Sequence, residues 1–380
     1  MNPLVDIRRF DQSLWLDFIS RQVLQNGELK KRIEEDALRG VTSNPAIFEK
    51  AIGGSADYDD TIKEQARQGK SAEDIYLGLA VADVRAACDL FKGLYDSHDN
   101  SSDGYVSLEV SPKLAHDTEG TLTEARQLWQ AVDRPNVMIK VPATLEGLPA
   151  IRTLISEGIN INVTLIFGLD RYKAVTEAFL SGLEDRLKAG KPLARIDSVA
   201  SFFLSRIDVL IDPQLDKIVA AGGEQAQLAQ PLIGEVAVAS AKVAYQLYKE
   251  IFAGSRWQAL ADKDAHTQRL LWASTGNKNP QYDDLKYVEG LIGPKTVDTV
   301  PVETMAVFKE RGQSADTLEQ GLDQAQKVLA DLPKVGIDLN AQTEQLEKEG
   351  VQKFIEPFGK LIDSVEKKRQ AAVDAARQPA

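Results

Sequence analysis

Alternation of short apolar runs with longer helical stretches is the feature that most limits the folds open to this chain. Eight runs have the length and residue types of buried β-strands, and stretches with the 3.6-residue periodicity of helices separate them. Such alternation is typical of an α/β protein whose parallel strands are joined by crossover helices. Eight repeats predict a closed (β/α)8 TIM barrel rather than an open, doubly wound sheet. The predicted strands are 14–20, 40–44, 105–111, 137–143, 161–167, 199–205, 270–275 and 296–301.

The segments between the predicted strands differ in length, and two of them have room for additional helices. We expect helical insertions at about 45–104 and 206–269. After residue 302 the pattern is helical to the end of the chain, with a C-terminal helical extension at about 335–380. A length of 380 residues would allow two or three domains. No linker rich in Pro, Gly or Ser divides the chain, so we expect residues 1–380 to form a single barrel domain.

Composition narrows the classes of partner and the compartment. The 45 basic and 57 acidic residues give a net charge of −12, which leaves no basic field for a nucleic acid. The first twelve residues lack an apolar signal-peptide core, and no stretch approaches the roughly 18 apolar residues that a membrane span requires. The single cysteine, Cys88, has helical spacing among apolar residues and is predicted to be buried rather than reactive. We therefore expect a cytoplasmic protein.

Common cofactor and metal motifs are missing from the sequence. The histidines stand apart from one another and are expected at the surface, so no metal site is predicted. They are His98, His116 and His266. A Gly-Lys-Ser triplet at 69–71 lacks the glycine that a phosphate-binding loop needs five positions earlier. No G-x-G-x-x-G, G-x-S-x-G or H-E-x-x-H motif is present, and no cofactor is predicted.

Several predicted strands carry polar residues on one face only. Side chains alternate between the two faces of a strand, so Val106, Leu108 and Val110 oppose Glu109 in the third strand. In the fifth strand the same alternation places Ile166 on the side of Asn162 and Thr164. If the apolar faces pack against the helices, the polar set points into the barrel lumen. That set contains Asp17, Thr42, Asn44, Glu109, Lys140, Asn162, Thr164 and Ser201. Barrel lumens are usually filled by Val, Ile and Leu.

A functional site explains this polar set better than a structural one. For Ser201 or Thr42 alone, a hydrogen bond within the core is an equally good explanation. A lysine with two carboxylates, however, would be a costly network to bury compared with apolar side chains. The lumen is therefore predicted to hold an active site.

These residues are the types needed for a reaction in which a lysine amine attacks a carbonyl carbon. An amine inside a narrow barrel is partly desolvated, which favours the neutral form and makes Lys140 a candidate nucleophile toward a carbonyl carbon. With a ketose it would form an iminium, and the bond between the third and fourth carbons can break once a base removes the proton of the C4 hydroxyl. Either Asp17 or Glu109 can be that base, the other assisting through a water. Groups able to orient sugar hydroxyls or a water are Asn44, Asn162 and Thr164.

A phosphorylated sugar would also need cationic groups. The candidates follow the later strands, where barrels commonly bind phosphate. They are Arg206, Ser274 and Lys278. A salt bridge to Asp208 is the alternative explanation for Arg206, and plain solvent exposure is the alternative for Lys278.

Four runs of the sequence, at 40–48, 137–144, 161–167 and 201–206, together resemble the transaldolase family. The runs GVTSNPAIF (40–48) and VMIKVPAT (137–144) look like the family's second-strand signature and the segment with its Schiff-base lysine, and INVTLIF and SFFLSR fit later strands. The resemblance implies a (β/α)8 fold and a cofactor-free, reversible transfer of a dihydroxyacetone unit. Sedoheptulose 7-phosphate and glyceraldehyde 3-phosphate would give erythrose 4-phosphate and fructose 6-phosphate, in the non-oxidative pentose phosphate pathway. The chain resembles the longer members of the family.

The resemblance also implies roles for individual residues. Lys140 matches the Schiff-base lysine, Asp17 the acid/base aspartate, and Glu109 with Thr164 the pair that holds the catalytic water. Positions for the dihydroxyacetone portion are Asn44, Asn162 and Ser201, those for phosphate are Arg206 and Ser274, and further substrate-binding candidates are Thr42 and Phe203. Many members have Ser-Phe-Arg in the seventh loop, whereas this chain has STGNK at 274–278. Lys278 is therefore the expected second cation.

Two other functions remain open at the sequence level. An aldolase could release free dihydroxyacetone, although the apolar ring of Phe203, where a tyrosine would add a proton donor, favours transfer. A sugar-phosphate binder without turnover would need the Asn, Ser and Arg set but would have no use for the lysine and its two carboxylates. Sugar phosphates are the expected partners, and a homo-oligomer is compatible with the sequence.

Overall fold

Eight parallel strands close into a barrel in the computed structural model, which describes residues 2–97 and 103–377. Strand order follows the chain, and the last strand pairs with the first, which confirms the predicted (β/α)8 fold. The strands are β1 (Gln12–Asp17), β2 (Gly40–Thr42), β3 (Tyr105–Glu109), β4 (Val137–Pro142), β5 (Ile161–Ile166), β6 (Ser198–Phe203), β7 (Arg269–Ala273) and β8 (Thr296–Val300).

Helices cover the outside of this barrel and extend beyond it. The helices are α1 (Pro3–Asp6), α2 (Arg21–Gln25), α3 (Glu28–Glu35), α4 (Pro45–Gly53), α5 (Asp59–Arg67), α6 (Ala72–Asp96), α7 (Thr118–Val132), α8 (Gly147–Glu157), α9 (Leu169–Lys188), α10 (Ser205–Ala221), α11 (Gly223–Ala229), α12 (Val236–Ala253), α13 (Ser255–Ala261), α14 (Lys286–Glu289), α15 (Val302–Arg311), α16 (Leu322–Asp331) and α17 (Leu339–Arg377). Short 3₁₀ turns lie at Ile7–Phe10, Pro112–Leu114, Gln230–Leu232 and Leu332–Val335. None of the described helices is long and apolar enough to cross a membrane.

Side-chain caps set where the helices around the site begin. Asn44 accepts a hydrogen bond from the backbone N–H of Ile47 at 3.1 Å, so α4 starts directly after β2. Ser71 caps α6 by accepting from the Asp74 N–H at 3.1 Å. Helices α4 to α6 fill the first long segment between strands, and α10 to α13 fill the second.

The region after residue 302 is not continuously helical as predicted, whereas the predicted C-terminal helical extension is present as α17. Residues 312–321 separate α15 from α16, and α17 begins only at Leu339. Gly321 and Gly336 have φ values of 65° and 80°, in the left-handed region that glycine adopts most easily and that interrupts a right-handed helix. The chain therefore turns twice before it enters its last helix.

Strand β5 departs from simple alternation near its end. Leu165 has a φ of 62°, and the pairing with β6 shifts between Val163 and Ile166. Ile166 pairs with Phe202 and so shares the helix-facing side, although strict alternation would have placed it in the lumen. This bulge explains why the predicted side of Ile166 was wrong.

Large and charged side chains fill the barrel below the site. Trp15 points into the lumen and is fully buried. At the lower end Arg269 donates to Ser13 Oγ at 2.9 Å and lies 3.2 Å from the Asp103 carboxylate, which also accepts from Ser13 at 2.6 Å. These contacts close the lumen, so polar groups above them are reached from the opposite end.

Helix α17 crosses that opposite end, where the strands terminate. Near its start Glu347 forms an ion pair with Arg171 of α9 at 2.9 Å. Toward its end Lys368 lies 2.7 Å from Asp59 of α5 and donates to the Ser55 carbonyl at 2.8 Å. The extension is thus fixed on both sides of the barrel mouth.

We predict that Gly40→Ala lowers the free energy of unfolding by about 1–3 kcal/mol, the usual cost of overpacking. A Cβ at Gly40 would lie 2.5 Å from the Trp15 ring, which has no room to retreat. Chemical denaturation monitored by circular dichroism measures the change. The control is Gly93→Ala, on an exposed turn of α6 where a Cβ meets nothing within 4 Å. Equal stability of the two variants would contradict the prediction.

Candidate active site

A cavity at the C-terminal end of the strands brings most of the predicted site residues together. It has a volume of about 170 Å³. The predicted residues that line it are Asp17, Thr42, Asn44, Lys140, Thr164, Ser201, Phe203, Arg206, Ser274 and Lys278. Glu109 and Asn162 do not line it, but each contacts a residue that does.

Lys140 and Glu109 meet because their strands place them side by side. They are register partners on β4 and β3, and Lys140 Nζ lies 3.2 Å from Glu109 Oε2. Their side chains are only 5% and 3% exposed. Lys140 also donates to the Ser43 carbonyl at 3.3 Å.

Burial raises the pKa of Glu109 from its usual 4.5 to about 7, although the Lys140 ammonium acts in the opposite direction. The negative charge of Asp17 adds to the increase. A carboxyl group that titrates near neutral pH can both take and return a proton under ordinary conditions. Glu109 thus has the properties of a general acid and base.

Asp17 is the second carboxyl group of the site. It ends β1 and accepts a hydrogen bond from Thr42 Oγ1 at 2.6 Å, and Thr42 in turn contacts Thr299 at 2.7 Å. Burial raises the pKa of Asp17, while Lys140 and the Thr42 hydrogen bond lower it. The hydrogen bond fixes the carboxylate at the edge of the cavity.

The neutral polar groups fall into two kinds. Thr164 Oγ1 is buried at the cavity wall and has no hydrogen-bond partner in the described part of the chain. Ser201 instead donates to Asn162 Oδ1 at 2.7 Å, and Asn162 donates to Ser107 at 3.0 Å. Asn162 therefore lies beneath the cavity and orients Ser201, whereas Thr164 is free to bind a ligand or a water.

Arg206 supplies positive charge that no described carboxylate neutralises in an ion pair. Its guanidinium carbon lies 5.3 Å from the centre of the Phe203 ring and 5.9 Å from that of Phe354. No carboxylate of residues 2–97 or 103–377 forms an ion pair with it, and its buried Nη1 lacks a hydrogen-bond partner there. Asp208, the alternative partner considered from the sequence, pairs with Lys286 at 3.1 Å instead. A buried cationic donor without a partner is suited to an anionic ligand.

The loop after β7 completes the cationic side of the cavity. Ser274 has a φ of 55°, an uncommon conformation for a residue other than glycine, and its hydroxyl lies 2.9 Å from that of Ser205. Lys278 is exposed but borders the cavity, and its charge lowers the pKa of Asp17. Lys278 forms no ion pair with a described residue.

The structure adds residues that sequence reasoning missed. Thr299 and Pro301 come from β8 and the residue after it, and Phe354 comes from the middle of α17. Alternation in the eighth predicted strand was a signal for Thr299. The apolar spacing of Phe354 and Phe358 indicates a buried helix face, but it does not reveal what that face covers.

Two larger cavities adjoin the site. One, of about 670 Å³, shares Asp17, Asn44, Lys278 and Pro301 with it. The other, of about 590 Å³, is bordered by Glu109 and by residues of α6 and α7.

The two described histidines, His116 and His266, do not line this site. His116 lies 3.0 Å from Glu146, and His266 lies 3.0 Å from Asp197, both with exposed rings. His98 lies outside the described residues. Among the residues that are described, no group of three or more His, Cys, Asp or Glu side chains could hold a metal ion.

A lysine paired with one carboxyl group and close to a second, at the C-terminal end of a closed barrel, is typical of enzymes that act on carbonyl compounds through a lysine nucleophile. A family model described as Transaldolase/Fructose-6-phosphate aldolase matches residues 14–365. "Transaldolase 2" of a Nostoc species is 46% identical over 373 residues, covering 97% of this chain and 98% of that protein. "Transaldolase" of Thiobacillus denitrificans is 46% identical over 365 residues, covering 96% and 100%. The chain belongs to the transaldolase/fructose-6-phosphate aldolase family, which confirms the resemblance seen in its motifs.

We predict that Glu109 makes stability depend on pH between about 4.5 and 7. Its raised pKa means that the folded state holds the proton more tightly, so this contribution is complete below pH 4.5 and is lost as the pH rises through about 7. The free energy of unfolding of the wild type should therefore fall relative to that of Glu109→Gln across this range, and the difference should then level off. The total is on the order of a few kcal/mol, since a tenfold change in a protonation constant corresponds to about 1.4 kcal/mol.

Urea denaturation at a series of pH values measures this difference. The control is Glu119→Gln, which removes an exposed carboxyl group of α7. Parallel stability curves for the wild type and Glu109→Gln would show that Glu109 titrates normally.

Proposed function

We propose that this chain is a transaldolase that works through a Schiff base on Lys140. It transfers a dihydroxyacetone unit from sedoheptulose 7-phosphate to glyceraldehyde 3-phosphate, giving erythrose 4-phosphate and fructose 6-phosphate, a reversible step of the non-oxidative pentose phosphate pathway. The observation that carries the proposal is one cavity that joins the buried Lys140 to Ser274 and to two cations, Arg206 and Lys278, that form no ion pair with a described residue. One small molecule in this cavity could therefore react with Lys140 through its carbonyl group and bind Arg206 and Lys278 through its phosphate.

The first half of the reaction forms the Schiff base. Lys140 Nζ attacks the C2 carbonyl of the ketose, and loss of water from the resulting carbinolamine gives the iminium. Glu109, 3.2 Å from Nζ and with a pKa of about 7, takes and returns the protons that this step moves. Thr164, whose hydroxyl has no partner among the described residues, holds the departing water together with Glu109.

Cleavage then uses the second carboxyl group. Asp17 removes the proton of the C4 hydroxyl, the bond between C3 and C4 breaks, and its electron pair moves into the iminium to give an enamine. The aldose product leaves, the acceptor aldose enters, and the enamine carbon attacks its aldehyde while Asp17 returns the proton. The hydrogen bond from Thr42 keeps the Asp17 carboxylate aimed at this position.

Substrate binding is divided between the two cavities. Asn44 and Ser201 contact the dihydroxyacetone portion, with Asn162 holding Ser201, and Arg206 with the β7 loop binds the phosphate. Ligand sites commonly measure about 300–1000 Å³, and the 170 Å³ cavity alone is smaller. The rest of a phosphorylated sugar therefore extends into the neighbouring 670 Å³ cavity.

The proposed reaction draws on neither metal nor organic cofactor, because the iminium nitrogen is itself the electron sink. Sugar phosphates are its only required partners. A cytoplasmic location and the absence of nucleic-acid partners stay predictions of the sequence.

Release of free dihydroxyacetone is the second candidate activity. The apolar surroundings of Phe203, whose ring centre lies 5.2 Å from that of Phe167, favour transfer, because neither ring can donate a proton to water. Product analysis with and without an aldose acceptor separates the two activities. A binder without turnover would not exchange label between fructose 6-phosphate and glyceraldehyde 3-phosphate.

We predict that borohydride added with fructose 6-phosphate attaches the three-carbon unit to Lys140. Reduction fixes the iminium as a stable amine, which peptide mass mapping locates. Lys140→Met should form no adduct and lose activity. The matched control, Lys173→Met, changes an exposed lysine of α9 and should label like the wild type. Labelling of a different lysine would refute the assignment.

We predict that Arg206→Ala lowers kcat/KM for glyceraldehyde 3-phosphate about 10- to 100-fold, because hydrogen bonds to charged groups contribute about 1.5–3 kcal/mol. The loss for unphosphorylated glyceraldehyde should be much smaller, since that acceptor has no phosphate to bind. Steady-state kinetics with both acceptors measures the selectivity, with Lys173→Ala as the control. An equal loss for the two acceptors would place the phosphate elsewhere.

A further inference from the structure

The C-terminal helix α17 contributes one side chain, Phe354, to the wall of the active-site cavity. Its ring centre lies 5.4 Å from Lys140 Nζ and 5.9 Å from the Arg206 guanidinium carbon, and the ring lines the cavity. The side chain is 6% exposed. An apolar ring thus covers both the nucleophile and the unpaired cation.

The position of this ring is set by a helix that is fixed on both sides of it. Glu347 and Arg171 form a largely buried ion pair before Phe354, and Lys368 bonds to the α4–α5 region after it. Between them, Gly350 lets the helix backbone approach β5, since a Cβ there would lie 3.1 Å from Leu165. The ring therefore belongs to an anchored helix and not to a loop, and we call the part of α17 that covers the cavity, with Phe354 at its centre, the roof.

We propose that Phe354 excludes solvent from the three-carbon intermediate on Lys140 and so directs the enzyme toward transfer. This inference rests on the proposed function. Between departure of the first aldose and arrival of the second, the dihydroxyacetone unit remains on Nζ as an enamine. Its survival during that interval decides whether the unit is transferred or lost.

Loss of the unit consumes one water. The enamine carbon takes up a proton, the water oxygen adds to C2, the bond between C2 and Nζ breaks, and the second proton returns to Nζ. The products are the free lysine amine and dihydroxyacetone, with no change in oxidation state. Limiting access to bulk solvent slows this route, while the single water held by Glu109 and Thr164 still serves formation and hydrolysis of the ketose adducts.

The Phe354 ring also contacts the guanidinium of Arg206. Phe203 and Phe354 both lie within about 6 Å of its guanidinium, a distance at which aromatic faces attract cations. The contact keeps the guanidinium beside the cavity without neutralising its charge. Phe354 is thus a positioning residue for the phosphate-binding cation as well as a barrier to solvent.

The test is the ratio of free dihydroxyacetone released to dihydroxyacetone transferred, measured with fructose 6-phosphate and a fixed concentration of an aldose acceptor. Phe354→Ala should raise this ratio about tenfold, which corresponds to about 1.4 kcal/mol. Because the ratio is taken within the active molecules, a loss of folded protein does not change it. Phe354→Val, which retains more apolar volume, should raise the ratio less and serves if the alanine variant does not fold.

Phe358→Ala is the matched control. Phe358 lies one helical turn further along, where its ring packs 5.7 Å from that of Tyr76 and 5.3 Å from Lys113 Nζ, and it borders the 590 Å³ cavity instead. We expect this variant to lose packing energy but to keep the wild-type ratio.

The outcomes separate the two proposals. If the wild type forms no adduct on Lys140, the proposed function fails. If the wild type transfers normally while Phe354→Ala and Phe354→Val match Phe358→Ala in their ratio, the roof role of Phe354 is overturned and the transaldolase proposal stands.

Discussion

The buried contact between Lys140 and Glu109 is the interaction on which the rest of the site depends. Lys140 and Glu109 lie 3.2 Å apart and are almost completely buried, and burial raises the pKa of Glu109 to about 7 even beside the Lys140 ammonium. Apolar residues of similar volume would fill the same space at no loss of stability. The pair is therefore best understood through its chemistry, because it places a proton acceptor beside an amine.

Side chains from distant parts of the chain enclose this pair from below, from the sides and from above. Trp15 fills the lumen below it, the ends of the strands surround it, and Phe354 covers it from α17. The roof leaves the side of Asp17 and Lys278 open toward a larger cavity. A reaction that must admit two sugars in turn, and yet protect what the first one leaves behind, requires this combination of closure and access.

Much of the site was predictable because a strand has a period of two. Alternation placed Asp17, Lys140 and Thr164 on the lumen side without knowledge of any contact. It failed at Ile166, where the bulge at Leu165 shifts the register, and a bulge depends on how neighbouring strands pair. The final helix was predicted as an element, but its face carrying Phe354 could not be assigned a partner, because an apolar stripe packs equally well on many surfaces.

The sequence by itself determined the fold class, the set of polar groups in the lumen and the family, since these follow from local periodicity, residue chemistry and motifs. Only the tertiary structure decided which charged side chains form ion pairs with each other. Asp208 pairs with Lys286, which leaves Arg206 available to a ligand. The tertiary structure also decided that the C-terminal helix covers the lysine. Both outcomes depend on contacts between segments far apart in the chain, whose geometry arises from the packing of the whole barrel and is not encoded in any local pattern.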